Sequence, residues 1–234
     1  MGSFIDIRAT DGSGSFRGYL AVPPAGRGPG IVVCQEIFGV NRTMRAIADG
    51  YAAEGFVTLV PDLFWRQSPG VELGYQEQDW QRAFAFYKAF DEAKGVEDIG
   101  AAVTALRSRP ECIGRTGVVG FCLGGKLAYL AGCRLPDVAC AVCYYGVGIE
   151  HALEELPAAR ARLVLHVAAA DEYCPPAAQE AIAKAAAGHP RCEVHRYPGV
   201  GHAFARVGEE HFHEPSARAA HERTIAAFQA ELSR

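Results

Sequence analysis

The sequence predicts an α/β protein in which helices flank a mainly parallel central sheet and an antiparallel hairpin comes first. Short segments of strand composition alternate with segments of helical periodicity through most of the 234 residues. At one strand-to-helix junction, a cysteine stands between glycines in the G-x-C-x-G turn of residues 120–124. No internal repeat or low-complexity linker interrupts the alternation. We therefore expect a single domain that spans residues 1–234.

The first half of the chain predicts four strands and three helices. The first two strands alternate apolar and polar residues around Asp11-Gly12-Ser13-Gly14, a pattern typical of a hairpin. Asn41 is a preferred cap for the first helix and Gly55 a preferred end, while Gly95 separates the other two helices. Residues 62–75 show no periodicity, and such long loops in compact domains are often functional. The strands are Phe4–Arg8, Phe16–Val22, Ile31–Gln35 and Phe56–Val60, and the later helices are Asp79–Phe90 and Val96–Arg107.

The second half predicts four more strands and three more helices. Apolar, β-branched runs indicate buried strands, and Ala-rich and Leu-rich patterns indicate helices. Ser216 is a preferred cap for the last helix, whose Ile225, Phe228 and Leu232 share one face. The strands are Val118-Val119, Val138–Tyr145, Leu163–Ala170 and Cys192–Tyr197, and the other helices follow Cys122 and lie near Ala177–Ala187.

The composition excludes several classes of partner. Half of the residues are apolar and the net charge is only −4, so the chain lacks the basic field that suits nucleic acid or an anionic membrane. No apolar run approaches the roughly 18 residues of a membrane span. The N-terminus lacks the basic segment and apolar core of a signal peptide. We therefore expect a cytoplasmic monomer or small homo-oligomer that binds neither nucleic acid nor membrane.

The eight cysteines are expected to be reduced and mostly buried, because several lie inside apolar runs. Cys140 and Cys143 have C-x-x-C spacing, but they lie in a predicted strand. Side chains three positions apart on a strand face opposite sides, so these two are not expected to bind a metal together.

Residues 118–129 predict a strand, a sharp turn and a helix, with Cys122 on the turn. This is the pattern of the nucleophile elbow of α/β-hydrolases, with cysteine in place of serine. Gly120 and Gly124 allow strand and helix backbones to pack closely. A thiol at a helix N-terminus has a lowered pKa. The turn therefore predicts a cysteine nucleophile.

Three further polar residues follow predicted strands, where chemistry gathers in an open α/β sheet. Glu36 follows the third strand, Asp171 follows Leu163–Ala170, and His202 follows the last strand. The chain order nucleophile, acid and histidine is that of α/β-hydrolases. His202 titrates near neutral pH, so it can take the thiol proton and later activate water, while Asp171 orients the imidazole.

Cys122 would then attack the substrate and form a thioester. The backbone N–H groups of Leu123 and Ile37 would form the oxyanion hole.

Four stretches together resemble the dienelactone hydrolases (carboxymethylenebutenolidases), over about residues 30–232. The resemblance implies hydrolysis of a dienelactone to maleylacetate in the bacterial breakdown of chlorinated catechols, without a cofactor or metal. It also implies that Glu36 holds the resting cysteine as a thiol and takes its proton when the substrate displaces the carboxylate. The four stretches are Gln35–Asn41, Gly120–Gly125, Tyr144–Gly148 and Gly201–Arg206.

The resemblance further implies two arginines that bind the substrate carboxylate. Arg206 matches the family pattern. The second arginine should lie on the helix near Trp80, where the nearest is Arg82. Because each step along a helix turns a side chain by about 100°, Arg82 is out of register.

The remaining pocket residues differ in part from the family pattern. Ala203 stands where a serine is usual, and Phe84 and Tyr87 replace other aromatic residues, which bears on substrate identity. Phe38, Tyr145 and Tyr87 are expected to contact the substrate.

Two other functions are compatible with the sequence. One is a carboxylesterase or thioesterase of broader specificity for activated esters. The other is a catalytically silent binding or redox-sensing relative with Cys122 as a reactive thiol. Peptidase activity is not expected, because a thiolate leaves easily and the intermediate collapses back unless the expelled oxygen also leaves easily. Glu36 has the alternative of a strand-end carboxylate paired to an arginine, and Arg206 that of a surface ion pair.

Overall fold

The computed structural model describes residues 2–233 and follows the predicted alternation of strands and helices. The strands form an eight-stranded mixed sheet in the order β1-β2-β4-β3-β5-β6-β7-β8. They are β1 (Ser3–Arg8), β2 (Ser15–Ala21), β3 (Gly28–Cys34), β4 (Val57–Pro61), β5 (Cys112–Phe121), β6 (Val138–Tyr144), β7 (Arg162–Ala168) and β8 (Cys192–Tyr197).

The helices also lie close to their predicted positions. They are α1 (Arg42–Ala53), α2 (Glu77–Lys88), α3 (Glu92–Arg107), α4 (Leu123–Arg134), α5 (Pro176–Ala186) and α6 (Glu214–Leu232). A 3-10 segment at Ile149–Ala158 was not predicted, and its backbone departs from helical geometry at Ala152. None of the helices in residues 2–233 is both long enough and apolar enough to cross a bilayer.

The residues fall into two compact units, the first ending at Thr116 and the second beginning at Gly117. The boundary lies within β5, so that strand contributes to both units. The expectation of a single domain stays a prediction.

In the first unit, β1 and β2 form the predicted antiparallel hairpin, with Ile7 opposite Phe16. β2 also pairs antiparallel with β4, which runs parallel to β3. The consecutive residues Ile31, Val32 and Val33 of β3 are all fully buried. Because consecutive strand residues point to opposite faces, both faces of β3 are covered, as expected for a parallel strand.

In the second unit, β6, β7 and β8 are parallel, and every residue of β6 is buried. Helices α4 and α6 pack on β6. Tyr129 of α4 is fully buried, and its hydroxyl donates a hydrogen bond to the Ala152 carbonyl at 3.1 Å, which ties α4 to the 3-10 segment.

Two predicted helix boundaries were wrong. Gly95 lies inside α3 and does not separate two helices, because Asp91 caps the helix through the Lys94 N–H at 3.0 Å. Ser216 lies in the first turn of α6, and the cap is His213, whose Nδ1 accepts from the Ser216 N–H at 3.4 Å. Pro215 favours this outcome, since proline fits the first turn of a helix.

Candidate active site

Cys122 occupies the predicted turn between β5 and α4, in a backbone conformation that few non-glycine residues adopt. Its φ is 57° and its ψ is −116°. Such a conformation costs on the order of 1–3 kcal/mol and persists only where the surroundings impose it. A Cβ at Gly120 would collide with the Gly124 carbonyl oxygen, and one at Gly125 would lie 2.6 Å from the Tyr144 carbonyl oxygen. The strand-to-helix turn therefore requires its glycines.

The backbone of Cys122 is held on both sides of the turn. Its N–H donates to the Tyr144 carbonyl at 3.1 Å, and its carbonyl accepts from Gly125 and Val147 at 3.0 and 3.4 Å. Leu123 is the first residue of α4, where an N–H has no acceptor within the helix. This N–H is therefore suited to bind an oxyanion beside the thiol.

His202 and Asp171 are brought together by the loops that follow β8 and β7. The imidazole Nδ1 lies 2.8 Å from Asp171 Oδ2, and the two side chains are 10% and 1% exposed. Asp171 Oδ1 accepts the Tyr173 N–H at 2.9 Å, so both carboxylate oxygens are hydrogen-bonded. Because Nδ1 is the donor to Asp171, Nε2 of the neutral imidazole is an acceptor. Nε2 is buried, and because Nδ1 bonds to Asp171, the hydrogen bond between His202 and the Cys122 side chain uses Nε2.

The electrostatics of His202 favour its protonated form next to a thiolate. Burial by itself lowers the pKa of His202. The negative charge that Cys122 carries as a thiolate and the hydrogen bond to Asp171 outweigh burial and raise that pKa to about 10. The arrangement is therefore suited to a thiolate–imidazolium pair.

Two tyrosine rings contact the His202 imidazole. Tyr145 lies 5.0 Å away between ring centroids, and Tyr173 lies 4.9 Å away, both in edge-on geometry. Tyr145 has a φ of 38°, and its N–H donates to the His166 carbonyl at 2.8 Å. Tyr145 was among the predicted site residues, whereas Tyr173 was not. The sequence feature that could have identified Tyr173 is its position: it is an aromatic residue two positions after Asp171, in the loop that follows a strand.

Arg206 is buried, with 5% of its surface exposed, and its N–H donates to the Ala203 carbonyl at 2.9 Å. Ala203 has a φ of 63°, which bends the chain sharply after His202. A surface ion pair, the alternative considered for Arg206, does not agree with this burial.

In the first unit, Glu36 and Ile37 follow β3 and are 2% and 5% exposed. The residues after them pair with the loop that showed no periodicity: Val40 N–H donates to Val71 at 3.1 Å. Gly39 has a φ of 75°, and a Cβ there would collide with the Val71 carbonyl oxygen. The loop of residues 62–75 thus supports the segment that contains Glu36 and Ile37.

Phe38 is 1% exposed and packs edge-on against Tyr75 and Trp80, with ring centroids 4.7 and 4.9 Å apart. Trp80 in turn contacts Phe84, one helical turn further along α2. These rings define the inward face of α2.

Arg82 lies two residues after Trp80, which turns its side chain about 200° away from that face. Its side chain is 65% exposed, and its Nη1 lies 4.0 Å from Asp79 Oδ1. Tyr87 lies further along α2 and is half-buried. This position of Arg82 does not support its expected role as a carboxylate ligand.

No disulfide joins any of the eight cysteines, which all lie within residues 2–233, and five of them are buried. Burial raises the pKa of Cys140 to about 12 and also raises the pKa of Cys34, so these thiols stay protonated. Cys122 is half-exposed and lies at a helix N-terminus. Within residues 2–233, no three His, Cys, Asp or Glu side chains are grouped to hold a metal ion.

Comparison with known proteins identifies the family. The model of the dienelactone hydrolase family matches residues 16–232. The chain belongs to the dienelactone hydrolase family. It is accordingly a hydrolase of ester or lactone bonds, and the resemblance seen in four sequence stretches is confirmed.

Relatives in this family match over nearly the whole chain. A protein of Azospirillum brasilense is 40% identical over 238 residues, covering 97% of this chain and 98% of its own. The carboxymethylenebutenolidase of Pseudomonas sp. strain P51 is 37% identical over 215 residues, covering 92% of this chain and 90% of its own. A solved structure from Klebsiella pneumoniae has a TM-score of 0.84 at 24% identity, covering 98% of this chain and 99% of its own, which shows the same fold.

Proposed function

We propose that the chain opens a small anionic enol-lactone, a dienelactone, to give maleylacetate, with Cys122 as the nucleophile. The main support is the strained conformation of Cys122 at the turn, in the same unit as the Asp171–His202 hydrogen bond. The substrate class is supported by the relatives named carboxymethylenebutenolidase, at 36–37% identity.

The first half of the proposed reaction makes a thioester. His202 Nε2 takes the Cys122 thiol proton, and Asp171 stabilises the resulting imidazolium. The thiolate attacks the lactone carbonyl, and the N–H groups of Leu123 and Ile37 bind the oxyanion. Collapse of this intermediate breaks the ring C–O bond and expels an enolate. The His202 imidazolium gives its proton to the enolate oxygen, and the resulting enol tautomerises to a ketone. An enolate leaves easily enough to compete with the thiolate, which is why an enol-lactone suits a cysteine enzyme.

The second half hydrolyses the thioester. His202 takes a proton from water, the hydroxide adds to the thioester carbonyl, and the thiolate leaves. The net reaction consumes one water and releases a keto acid.

Charged residues in the proposal control protonation and binding. We propose that Glu36, a buried carboxylate, keeps the resting cysteine as a thiol until the substrate displaces the carboxylate. Transfer of the thiol proton to Glu36 in place of His202, which the family resemblance implies, is the alternative first step. The buried guanidinium of Arg206 would bind the substrate carboxylate. Arg82 was expected as the second such group, but its side chain is 65% exposed, so the proposal does not rely on it. Phe38, Tyr145 and Tyr87 would line the pocket.

The test is a substrate screen with purified protein, using a dienelactone, p-nitrophenyl acetate and an acyl-CoA. Fastest turnover of the dienelactone, measured as kcat/KM, would support the proposal. Comparable or faster turnover of the other two would instead indicate a carboxylesterase or thioesterase of broad specificity. Stoichiometric labelling by iodoacetamide without turnover of any ester would indicate a silent thiol relative. A cytoplasmic location is also proposed, supported by the eight cysteines of residues 2–233, which form no disulfide.

A further inference from the structure

Tyr173 is tied to the same carboxylate that orients the candidate catalytic histidine. Its backbone N–H donates to Asp171 Oδ1 at 2.9 Å, while Asp171 Oδ2 lies 2.8 Å from His202 Nδ1. The buried Asp171 carboxylate therefore holds both the His202 imidazole and the backbone N–H of Tyr173. Such a tie limits where the ring of Tyr173 can lie.

The ring of Tyr173 contacts the imidazole and is itself exposed to solvent. The two ring centroids are 4.9 Å apart with an interplanar angle of 72°. The His202 side chain is only 10% exposed, whereas Tyr173 is 38% exposed. This contact therefore joins a buried imidazole to a ring that a bound substrate can reach.

The charges around Tyr173 agree with a position at the site. Burial and the negative charges of Glu172 and Cys122 raise the pKa of the Tyr173 phenol, and Arg206 opposes this effect. The phenol is thus within electrostatic range of both the nucleophile and the buried guanidinium.

The chemistry of the reaction brings the substrate against this ring. In the proposed mechanism the imidazolium gives its proton to the oxygen that leaves. The carbon framework attached to that oxygen must therefore lie beside the imidazole, and a ring in contact with the imidazole is in position to contact it. Aromatic rings favour flat, conjugated partners through stacked and edge-on contacts.

We propose that Tyr173 is a specificity-determining residue whose ring contacts the leaving-group side of the substrate and selects flat, conjugated leaving groups. The proposal rests on the proposed function, since it takes His202 as the proton donor to the leaving oxygen. It assigns the selection to the ring of Tyr173 and not to its hydroxyl.

The experiment compares 2-naphthyl acetate with phenyl acetate, because their leaving phenols have similar acidity and differ in flat aromatic area. The quantity measured is the ratio of kcat/KM for the naphthyl ester to kcat/KM for the phenyl ester. Tyr173→Ala is expected to lower this ratio about five- to tenfold, as for the loss of one aromatic contact. Tyr173→Phe is expected to keep it, and Tyr173→Leu to give an intermediate value.

Val207→Ala is the matched control. Val207 is an exposed apolar residue next to Arg206, 72% exposed, and its loss should leave the ratio unchanged. Equal losses on both esters in Tyr173→Ala would mean that Tyr173 only supports His202, which would overturn the proposal. An unchanged ratio, or a Tyr173→Phe variant as impaired as Tyr173→Ala, would also overturn it. A wild-type protein that hydrolyses neither these esters nor a dienelactone would overturn the proposed function itself, a different result from any change in ratio.

Discussion

His202 Nδ1 and Asp171 Oδ2 lie 2.8 Å apart, although 31 positions separate the two residues in the chain. Parallel strands explain the proximity, since β7 and β8 are neighbours and both residues follow the carboxyl ends of these strands. The bond leaves Nε2 as the basic nitrogen of the imidazole.

Asp171 and His202 are expected to act as one unit. Asp171→Asn or His202→Ala alone should lower kcat by about three to four orders of magnitude, and the double variant should lose little more. Steady-state kinetics on one ester checks this. Losses that multiply in the double variant would show that the two residues act separately.

Arg206 is expected to recognise substrate charge. Arg206→Ala should cost about 2–4 kcal/mol in kcat/KM on a carboxylate-bearing lactone, as when a buried charged partner is removed. The same change should barely affect p-nitrophenyl acetate, which carries no carboxylate.

Arg82→Ala is the matched control for Arg206→Ala, because Arg82 is the other candidate ligand and its side chain is 65% exposed. Arg82→Ala should change kcat/KM on the lactone far less. Equal losses on charged and neutral substrates in Arg206→Ala would rule out a recognition role for Arg206.

Gly39 and Gly70 separate the effect of backbone strain from that of a collision. Their φ values are 75° and 76°, but only a Cβ at Gly39 would meet another atom, the Val71 carbonyl oxygen. Gly70→Ala should therefore cost only about 1–2 kcal/mol, the strain of a left-handed residue. Gly39→Ala should cost more and lower activity, because it displaces the segment that contains Glu36. Urea unfolding measures the loss in free energy of unfolding for each variant. Equal losses would contradict a role for the close approach of Gly39 to the Val71 carbonyl oxygen.

Features set by a few neighbouring residues were predictable from the sequence. Asn41 caps α1 through the Met44 N–H at 3.1 Å, and Cys122 lies on the turn that its glycines predict. Both depend on backbone geometry within four residues. The cap of α6 was missed because His213 is an uncommon cap, and the prediction favoured the hydroxyl of Ser216.

Features that depend on distant packing were not predictable. The helical repeat puts Arg82 out of register with Trp80, but only the contact of Trp80 with Phe38 shows that Trp80 lies on the inward face of α2. The contact of Tyr173 with His202 depends likewise on how two loops approach each other. Periodicity along one element carries no information about such contacts.

His166 is expected to destabilise the fold in acid. Its ring is fully buried, with Nδ1 2.9 Å from the Tyr197 hydroxyl and Nε2 3.1 Å from Thr224 Oγ1. Arg223 donates to the Tyr197 hydroxyl at 2.8 Å, so that hydroxyl donates to Nδ1, which must stay unprotonated. Burial and the nearby charges of His195 and Arg223 hold the pKa of His166 well below its usual range.

The unfolded chain therefore binds a proton at His166 below about pH 6.5 that the folded chain does not bind. The contribution of His166 to the free energy of unfolding is therefore full above about pH 6.5 and decreases as the pH falls below that value. Between about pH 7.5 and pH 5, the wild type should lose about 1–2 kcal/mol more free energy of unfolding than His166→Gln. Urea titrations at the two pH values measure the difference. Parallel losses in the two proteins would show that His166 does not contribute.

The most direct test of Cys122 as the nucleophile is the kcat/KM of Cys122→Ala on a dienelactone, measured with the far-UV circular dichroism and Tm of the same preparation. Hydrolysis should fall by several orders of magnitude, while the spectrum and the Tm stay close to those of the wild type, since removing one half-exposed sulfur costs only about 1 kcal/mol. Substantial hydrolysis by a folded Cys122→Ala protein would contradict the assignment of Cys122 as the nucleophile.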